Sequence, residues 1–386
     1  MSLITTTEAL GAFCTELRGE PFVTVDTEFM RDRTYYAKLC LVQLGGSARA
    51  AAVDPLADGI SLEPLLELFA DPTVLKVFHA ARQDVEIFVH MTGRAPQPLF
   101  DTQIAAMVCG YGEEVAYDTL VAQIAKARLD KSSRFTDWSR RPLSEAQLRY
   151  ALGDVIHLRT ICEVLAAELE REGRTSWVEE EFRVLTDPAL HRVEPEDAWK
   201  RLKVRSRDPR FLAIVQELAA WREREAQRRD LPRNRVLRDD HVLEVAASKP
   251  KTAQDVGALP RVSLDNRSAQ AVVEAIGRAL ERPLAECPHL PEPKRMPRGI
   301  GPIVELLRVL LRLKAEEHGV AQRLLATTGD LEEIAQDDAA EVPALRGWRC
   351  AVFGAAALDL KHGRLGLAVK GGHVRLLEMS AGARPD

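Results

Sequence analysis

The sequence predicts an α/β domain built on a mixed sheet over residues 1–195, followed by two small all-helical modules. Two observations carry that prediction. Between residues 20 and 80, short runs rich in Val, Leu and Phe begin to alternate with amphipathic helical segments, and after residue 200 the strand-like runs stop. Proline-bearing breaks at 186–197 and 288–299 then cut the chain into three stretches.

In order, the pattern reads as strands at 22–29, 38–44 and 51–54, a helix at 61–70 and a strand at 74–79. Helices follow at 82–91, 101–109, 117–127 and 144–172. TDPALHRVEPED (186–197) breaks the periodicity with two prolines. Beyond it, short helices are expected at 211–221, 239–247, 252–257 and 266–281, which form a module over 205–287. A linker at 288–300, containing PHLPEPKRMPRG, leads to a last helical stretch at 301–375. A weak echo between VAASKPKTAQD (245–255) and LLATTGDLEEI (324–334) suggests a diverged internal duplication.

At 386 residues and 42.9 kDa the chain is long enough for two or three separate cores. No apolar run approaches the roughly 18 residues that span a bilayer, and the first residues lack the basic and apolar regions of a signal peptide. A cytoplasmic location is expected. Six cysteines are scattered with no C-x-x-C pair, which argues against a zinc site and a disulfide framework. The net charge of −5 averages over unlike regions: Lys200 to Arg238 holds thirteen Lys or Arg against five Asp or Glu. That basic stretch is where a polyanion would be held.

The segment PFVTVDTEFM (21–30) places Asp26 and Glu28 two apart, on the same face of a predicted strand. Two acids on an otherwise apolar strand are costly to bury unless a cation neutralises them, and a divalent metal is the usual solution. The competing reading is the solvent face of an edge strand. Asp84 falls near the start of the helix after the fifth predicted element, within reach of the sheet end that carries Asp26. In YALGD, Tyr150 and Asp154 form an i, i+4 pair, so a phenol and a carboxylate share one helix face.

This order of D-x-E, then D, then Y-x-x-x-D resembles the DEDD exonuclease superfamily in its tyrosine-containing branch. VDTEFMR (25–31), TYY (34–36), LCLVQ (39–43), FDTQ (100–103), DKS (130–132) and TDWSRRPLS (136–144) running into YALGDV (150–155) are similar to the ribonuclease D family. DLPRNRVLRD (230–239) and KPKT (249–252) look like the HRDC module named after helicases and ribonuclease D. A second, degenerate copy would fit 301–375.

The resemblance implies a ribonuclease H-like exonuclease domain and hydrolysis of RNA phosphodiesters from the 3′ end with two divalent metal ions, Mg²⁺ or Mn²⁺. Nucleoside 5′-monophosphates would be released, with tRNA precursors as the expected substrate. It assigns Asp26, Glu28, Asp84 and Asp154 to the metals and Tyr150 to the attacking water. Phe29, Met30, His79, Lys131, Trp138 and Arg141 become substrate candidates. For His79 an anchor of the strand-to-helix turn is the competing role, and for Trp138 a core anchor. Arg31 and Arg33 are phosphate candidates or parts of a solvated loop. Lys200, Arg201, Lys203, Arg205, Arg207 and Arg210 read as contacts to RNA backbone phosphates. No membrane partner is implied, and a monomer is expected. A DNA exonuclease of the same superfamily and a non-catalytic RNA-binding scaffold are the alternatives.

Overall fold

The computed structural model describes residues 2–130, 133, 136–290 and 299–379. The α/β part begins with β1 (Ser2–Ile4) and α1 (Thr7–Leu17), followed by β2 (Phe22–Met30), β3 (Lys38–Gly45) and β4 (Ala50–Val53). Then come α2 (Glu63–Ala70), β5 (Leu75–Phe78), α3 (Arg82–Thr92), β6 (Leu99–Asp101), α4 (Thr102–Val108) and the short α5 (Tyr117–Leu120). A long α6 (Glu145–Arg171) and α7 (Thr175–Leu185) close it. The six strands run in the order β1-β4-β3-β2-β5-β6. β3 pairs antiparallel with β2 and β4, and the remaining pairs are parallel, so the sheet is mixed as predicted.

The two faces of β2 do different work. Val23 and Val25 face the core under α1, α2 and α3, with Leu10, Phe13, Leu65, Phe78 and Phe88. The alternate set, Thr24, Asp26 and Glu28, faces α6. Close approach of α6 depends on Gly45, where a Cβ would collide with the Thr24 hydroxyl and press on the Val155 carbonyl. Thr24 Oγ1 donates to that carbonyl at 2.9 Å. Helix α6 starts at a capping box in which the Ser144 hydroxyl accepts from Gln147 N and the Gln147 side chain accepts from Ser144 N. That fixes the register at which Tyr150 and Asp154 meet the sheet.

The helical half begins with 3₁₀ turns at Pro188–His191 and Pro195–Arg201, then α8 (Pro209–Arg229), α9 (Arg233–Val236), α10 (Asp239–Ser248), α11 (Ala253–Gly257) and α12 (Asn266–Glu281). Trp199 and Leu202 pack into the core of these helices, so packing of this module starts before residue 205. The last part holds α13 (Ile300–His318), α14 (Gln322–Leu325), α15 (Thr328–Gln336), α16 (Gly347–Arg349) and α17 (Ala355–Lys361) around its own core.

Several expectations need correction. The strand-free reading of everything after 200 fails at the C-terminal end, where β7 (Leu365–Lys370) and β8 (His373–Glu378) form an antiparallel hairpin across Gly371 and Gly372, both at positive φ. The predicted helix at 117–127 is a single turn continued by a π-turn at Val121–Ala125, which stops at Lys126 in the left-handed region. β1, α1, β6 and α7 were not anticipated: two of them are three-residue strands too short to show a period. Among the described residues, no helix is long and apolar enough to cross a membrane.

Candidate active site

Asp26 and Glu28 project from β2 toward α6, where Asp154 comes to meet them. One carboxylate oxygen from each of the three lies within 4.8 Å of the others. Asp84 arrives from the opposite side of the strand, on the first turn of α3, and its Oδ1 accepts a hydrogen bond from the Thr27 hydroxyl. All four acids and Tyr150 border one pocket of about 600 Å³, together with Phe29, His79 and Tyr117.

The acids are strained by their own company. Burial pushes the Asp26 carboxyl well above its usual range, and the negative charges of Asp154, Asp84 and Glu28 push it further. Glu28 is raised to about 8 by burial and then by Asp154 and Asp84. Asp84 is raised to about 7, chiefly by burial and against the pull of the Thr27 hydroxyl. An all-oxygen, anionic donor set of this kind fits a hard divalent cation, which would remove both penalties together.

The turn that sets Asp84 is itself held by an acid. Asp101, 2% exposed, accepts from Ala80 N at 3.0 Å, Gln103 N at 2.8 Å and Ala81 N at 2.8 Å. Ala80 sits at φ +57°, so the three N–H bonds pin a conformation that alanine otherwise avoids. His79 beside it places Nδ1 3.0 Å from Thr102 Oγ1, and burial lowers its pKa.

The substrate candidates divide. Phe29 and His79 border the pocket. Met30 packs instead among Leu41, Ala52 and Ala151 beside Trp138, which is 2% exposed and lies with its ring centroid 6.0 Å from that of Tyr150. Arg141 is committed elsewhere: its guanidinium pairs with Asp54 at 2.6 Å and donates to the carbonyls of Trp138 and Cys40 at 2.7 Å. Trp138 packs against Ala151 and Leu152 of α6, and neither it nor Arg141 lines the pocket. Lys131 lies outside the described residues.

The basic stretch is less free than its charge count suggests. Lys200 pairs with Asp197, Arg222 with Asp239, and Arg210 donates to the carbonyls of Ala279 and Arg282. Arg31 pairs with Glu86, and Arg33 with Asp32. Arg201, Lys203, Arg205 and Arg207 are exposed, and none borders the acidic pocket.

Sequence reasoning missed Tyr117, whose hydroxyl donates to the Gly153 carbonyl at 3.1 Å and whose pKa is raised by burial and by the charges of Asp154 and Asp26. It also missed the role of Asp101, although FDTQ (100–103) was already conspicuous. An acid that caps backbone N–H groups has no periodic signature.

Comparison with known proteins gives a consistent result. A 3′-5′ exonuclease family model matches residues 1–170, and an HRDC domain model matches 211–274. The chain is 53% identical to the ribonuclease D of Jannaschia sp. strain CCS1, over 97% of this chain and 99% of that protein. It is 50% identical to the ribonuclease D of Nitrobacter hamburgensis, over 98% of this chain and all of that one. The crystal structure of Escherichia coli RNase D, an exoribonuclease involved in structured RNA processing, superposes with a TM-score of 0.80 at 32% identity, covering 94% of this chain and 98% of that one.

Proposed function

The chain belongs to the ribonuclease D family of 3′→5′ exoribonucleases, and on that premise we propose that it trims the 3′ ends of tRNA precursors one nucleotide at a time, releasing nucleoside 5′-monophosphates. The observation that carries this reading is the convergence of Asp26, Glu28 and Asp154 oxygens within 4.8 Å in a pocket that also holds Asp84 and Tyr150.

In this reading Asp26, Glu28, Asp84 and Asp154 would hold two divalent ions, Mg²⁺ or Mn²⁺, and the ions would supply charge neutralisation at the phosphate. Asp26, whose ionisation is opposed by burial and then by all three neighbouring acids, would serve both ions. Tyr150 orients the attacking water with a neutral phenol, which lowers the entropic cost of alignment. Phe29 and His79 bound the space for the terminal nucleotide. Tyr117, tied to the Gly153 carbonyl, keeps the α6 backbone at the depth where Asp154 reaches the other acids.

The reading also divides the chain into an exonuclease domain (1–195), an HRDC module (205–287), a linker (288–300) and a second, diverged HRDC-like module (301–375). Arg201, Lys203, Arg205 and Arg207 serve RNA capture without reading sequence, and Lys200 contributes when its pair with Asp197 opens.

The test is hydrolysis of 5′-labelled RNA and DNA of one sequence with Mg²⁺, Mn²⁺ or chelator. Stepwise shortening of the RNA with either metal, and none with chelator, is expected. Faster shortening of the DNA would overturn the RNA assignment, equal rates would remove the RNA selectivity, and shortening in chelator would remove the metal assignment.

A further inference from the structure

A second pocket of about 630 Å³ lies where the exonuclease domain meets the first helical module. Five arginines reach its walls: Arg31 and Arg82 from the β2–α3 side, Arg192 from the 186–197 connection, and Arg201 and Arg233 from the helical side. Against them stand Glu86 and Glu194. Two of the cations are already neutralised, Arg31 by Glu86 and Arg233 by the buried Glu223. Arg82 is exposed and has no partner among the described residues, Arg201 is exposed and its charge acts on the same Glu223 that Arg233 already pairs with, and Arg192 only touches the Gly93 carbonyl at 3.5 Å. With five arginines against Glu86, Glu194 and the adjoining Glu223, the pocket keeps a net positive rim. Its floor is aromatic: the Tyr36 and His90 rings stack with centroids 3.4 Å apart, and Tyr35 meets Tyr36 edge-on at 4.7 Å.

Position gives this pocket its meaning. Arg82 and Asp84 stand on the same first turn of α3, one bordering the basic pocket and the other the acidic one. Arg31 likewise follows directly on β2, the strand that carries Asp26 and Glu28. The basic pocket is thus the next surface a strand meets on leaving the carboxylates. A cationic rim over an aromatic floor is the composition that holds single-stranded nucleic acid, with arginines on phosphates and rings under bases.

We propose that this junction pocket is a second RNA site, which grips the single-stranded segment on the 5′ side of the nucleotide being removed. The proposal rests on the exonuclease reading above and adds to it the route of the strand. Because the walls come from both the exonuclease domain and the first helical module, an RNA seated there bridges the two. The grip keeps a shortened strand in place for the next cut. Recognition is by phosphate charge and stacking, so it carries no sequence preference.

The test uses the full chain and the double variant Arg82→Gln, Arg192→Gln, which removes two exposed charges and no acid. Two substrates are compared: a dinucleotide, which is confined to the catalytic pocket, and an unstructured RNA of about fifteen nucleotides, which spans both pockets. The expected result is a KM for the longer RNA raised about tenfold, equivalent to about 1.4 kcal/mol, with kcat and KM for the dinucleotide held. Fluorescence anisotropy of the same labelled RNA, read with chelator present, should show weaker binding and a salt slope shallower by about 0.7 per lost contact. A KM change of equal size on both substrates, no change on either, or an unaltered salt slope would overturn the proposal. A wild-type chain that cleaves neither substrate overturns the exonuclease reading, while the anisotropy measurement still decides the RNA site.

Discussion

Thr27 donates its hydroxyl to Asp84, and so the residue between the two strand acids fixes the acid that comes from the helix. The bond lies on the face of the sheet opposite the strand acids: Asp26 and Glu28 point toward α6, while Thr27 points toward α3 and holds Asp84 at the edge of the pocket. An extended strand with acids at alternate positions and a hydroxyl between them can therefore serve both helices at once. The arrangement keeps Asp84 out of the tight three-oxygen cluster yet within the electrostatic reach of Asp26 and Glu28.

Asp26→Asn and Asp154→Asn should each abolish turnover while leaving the fold intact. Each removes a charge from a site where burial and mutual repulsion already disfavour ionisation. The melting temperature without metal should be unchanged or higher than wild type, and the rise on adding Mn²⁺ should shrink. Hydrolysis near the wild-type rate in saturating Mg²⁺ would show that the metal assignment is wrong.

Metal affinity should climb with pH. Glu28 is raised to about 8 and Asp84 to about 7, so the folded, metal-free chain retains protons that the unfolded chain loses near pH 4. The stabilisation linked to those protons is complete below about pH 4 and disappears as pH rises through 7 to 8. A cation must displace the same protons, so the gain in melting temperature with Mg²⁺ should be larger at pH 8 than at pH 6. An equal gain at both pH values contradicts the shifted carboxylates.

The sequence made the acids legible because their spacing carries the geometry. D-x-E puts two carboxylates on one strand face, and Tyr150 and Asp154 share a helix face at i, i+4, whatever else the fold does. Arg141 and Trp138 lay in an equally recognisable run, but their surroundings were set by Asp54, Cys40 and Leu41, which lie far away in sequence. The charge count from 200 to 238 overstates the excess charge for a similar reason. Glu196, Asp197 and Asp239 lie just outside or across the turn from that window and take up part of its charge. The hairpin at 365–378 was missed because its strands are largely exposed, with Val369 at 76%, so they lack a buried face and its alternation.

Tyr150→Phe should lower kcat by about a hundredfold, the loss expected when a reacting group is left misplaced, and leave metal affinity as it was. The phenyl ring can still occupy its place near Trp138, whose ring centroid is 6.0 Å away. Calorimetric titration with Mn²⁺ separates the two effects. Parallel losses in rate and affinity would make Tyr150 a support for Asp154.

Arg349→Met should loosen the last module from the exonuclease domain. Arg349 is 8% exposed, pairs with Glu180 and Glu181, and donates to the Leu324 carbonyl at 2.6 Å, beside the stacked Trp177 and Trp348 rings. Burial already raises the Glu181 pKa, and Arg349 opposes that shift. Removing one partner of such a pair costs about 3 kcal/mol. Chemical denaturation should show that loss, and the double variant Arg349→Met, Glu181→Leu should recover part of it. Failure of the second change to recover stability would leave the tryptophan stack as the main tie.

Asp230 offers a way to loosen the other module without touching a carboxylate of the pocket. It ends α8 in the left-handed region, at φ +48°, and its Oδ1 accepts from both Tyr35 N and Tyr36 N at 3.0 Å. Around it, the Tyr35 hydroxyl donates to Glu223 and accepts from Gln227 and Arg233 at 3.2 Å, with the Arg233 guanidinium 4.9 Å from the ring centroid. Asp230→Ala removes both acceptor bonds and forces alanine into positive φ, whereas Asp230→Asn keeps an oxygen and tolerates that backbone. The alanine variant should lose about 1 to 2 kcal/mol, and the asparagine variant much less. Because the same tyrosines floor the junction pocket, the alanine variant should also bind longer RNA more weakly, with dinucleotide turnover preserved. Equal damage from alanine and asparagine would locate the role of Asp230 in its charge, and loss of dinucleotide turnover would mean that the 31–37 loop positions the catalytic strand itself.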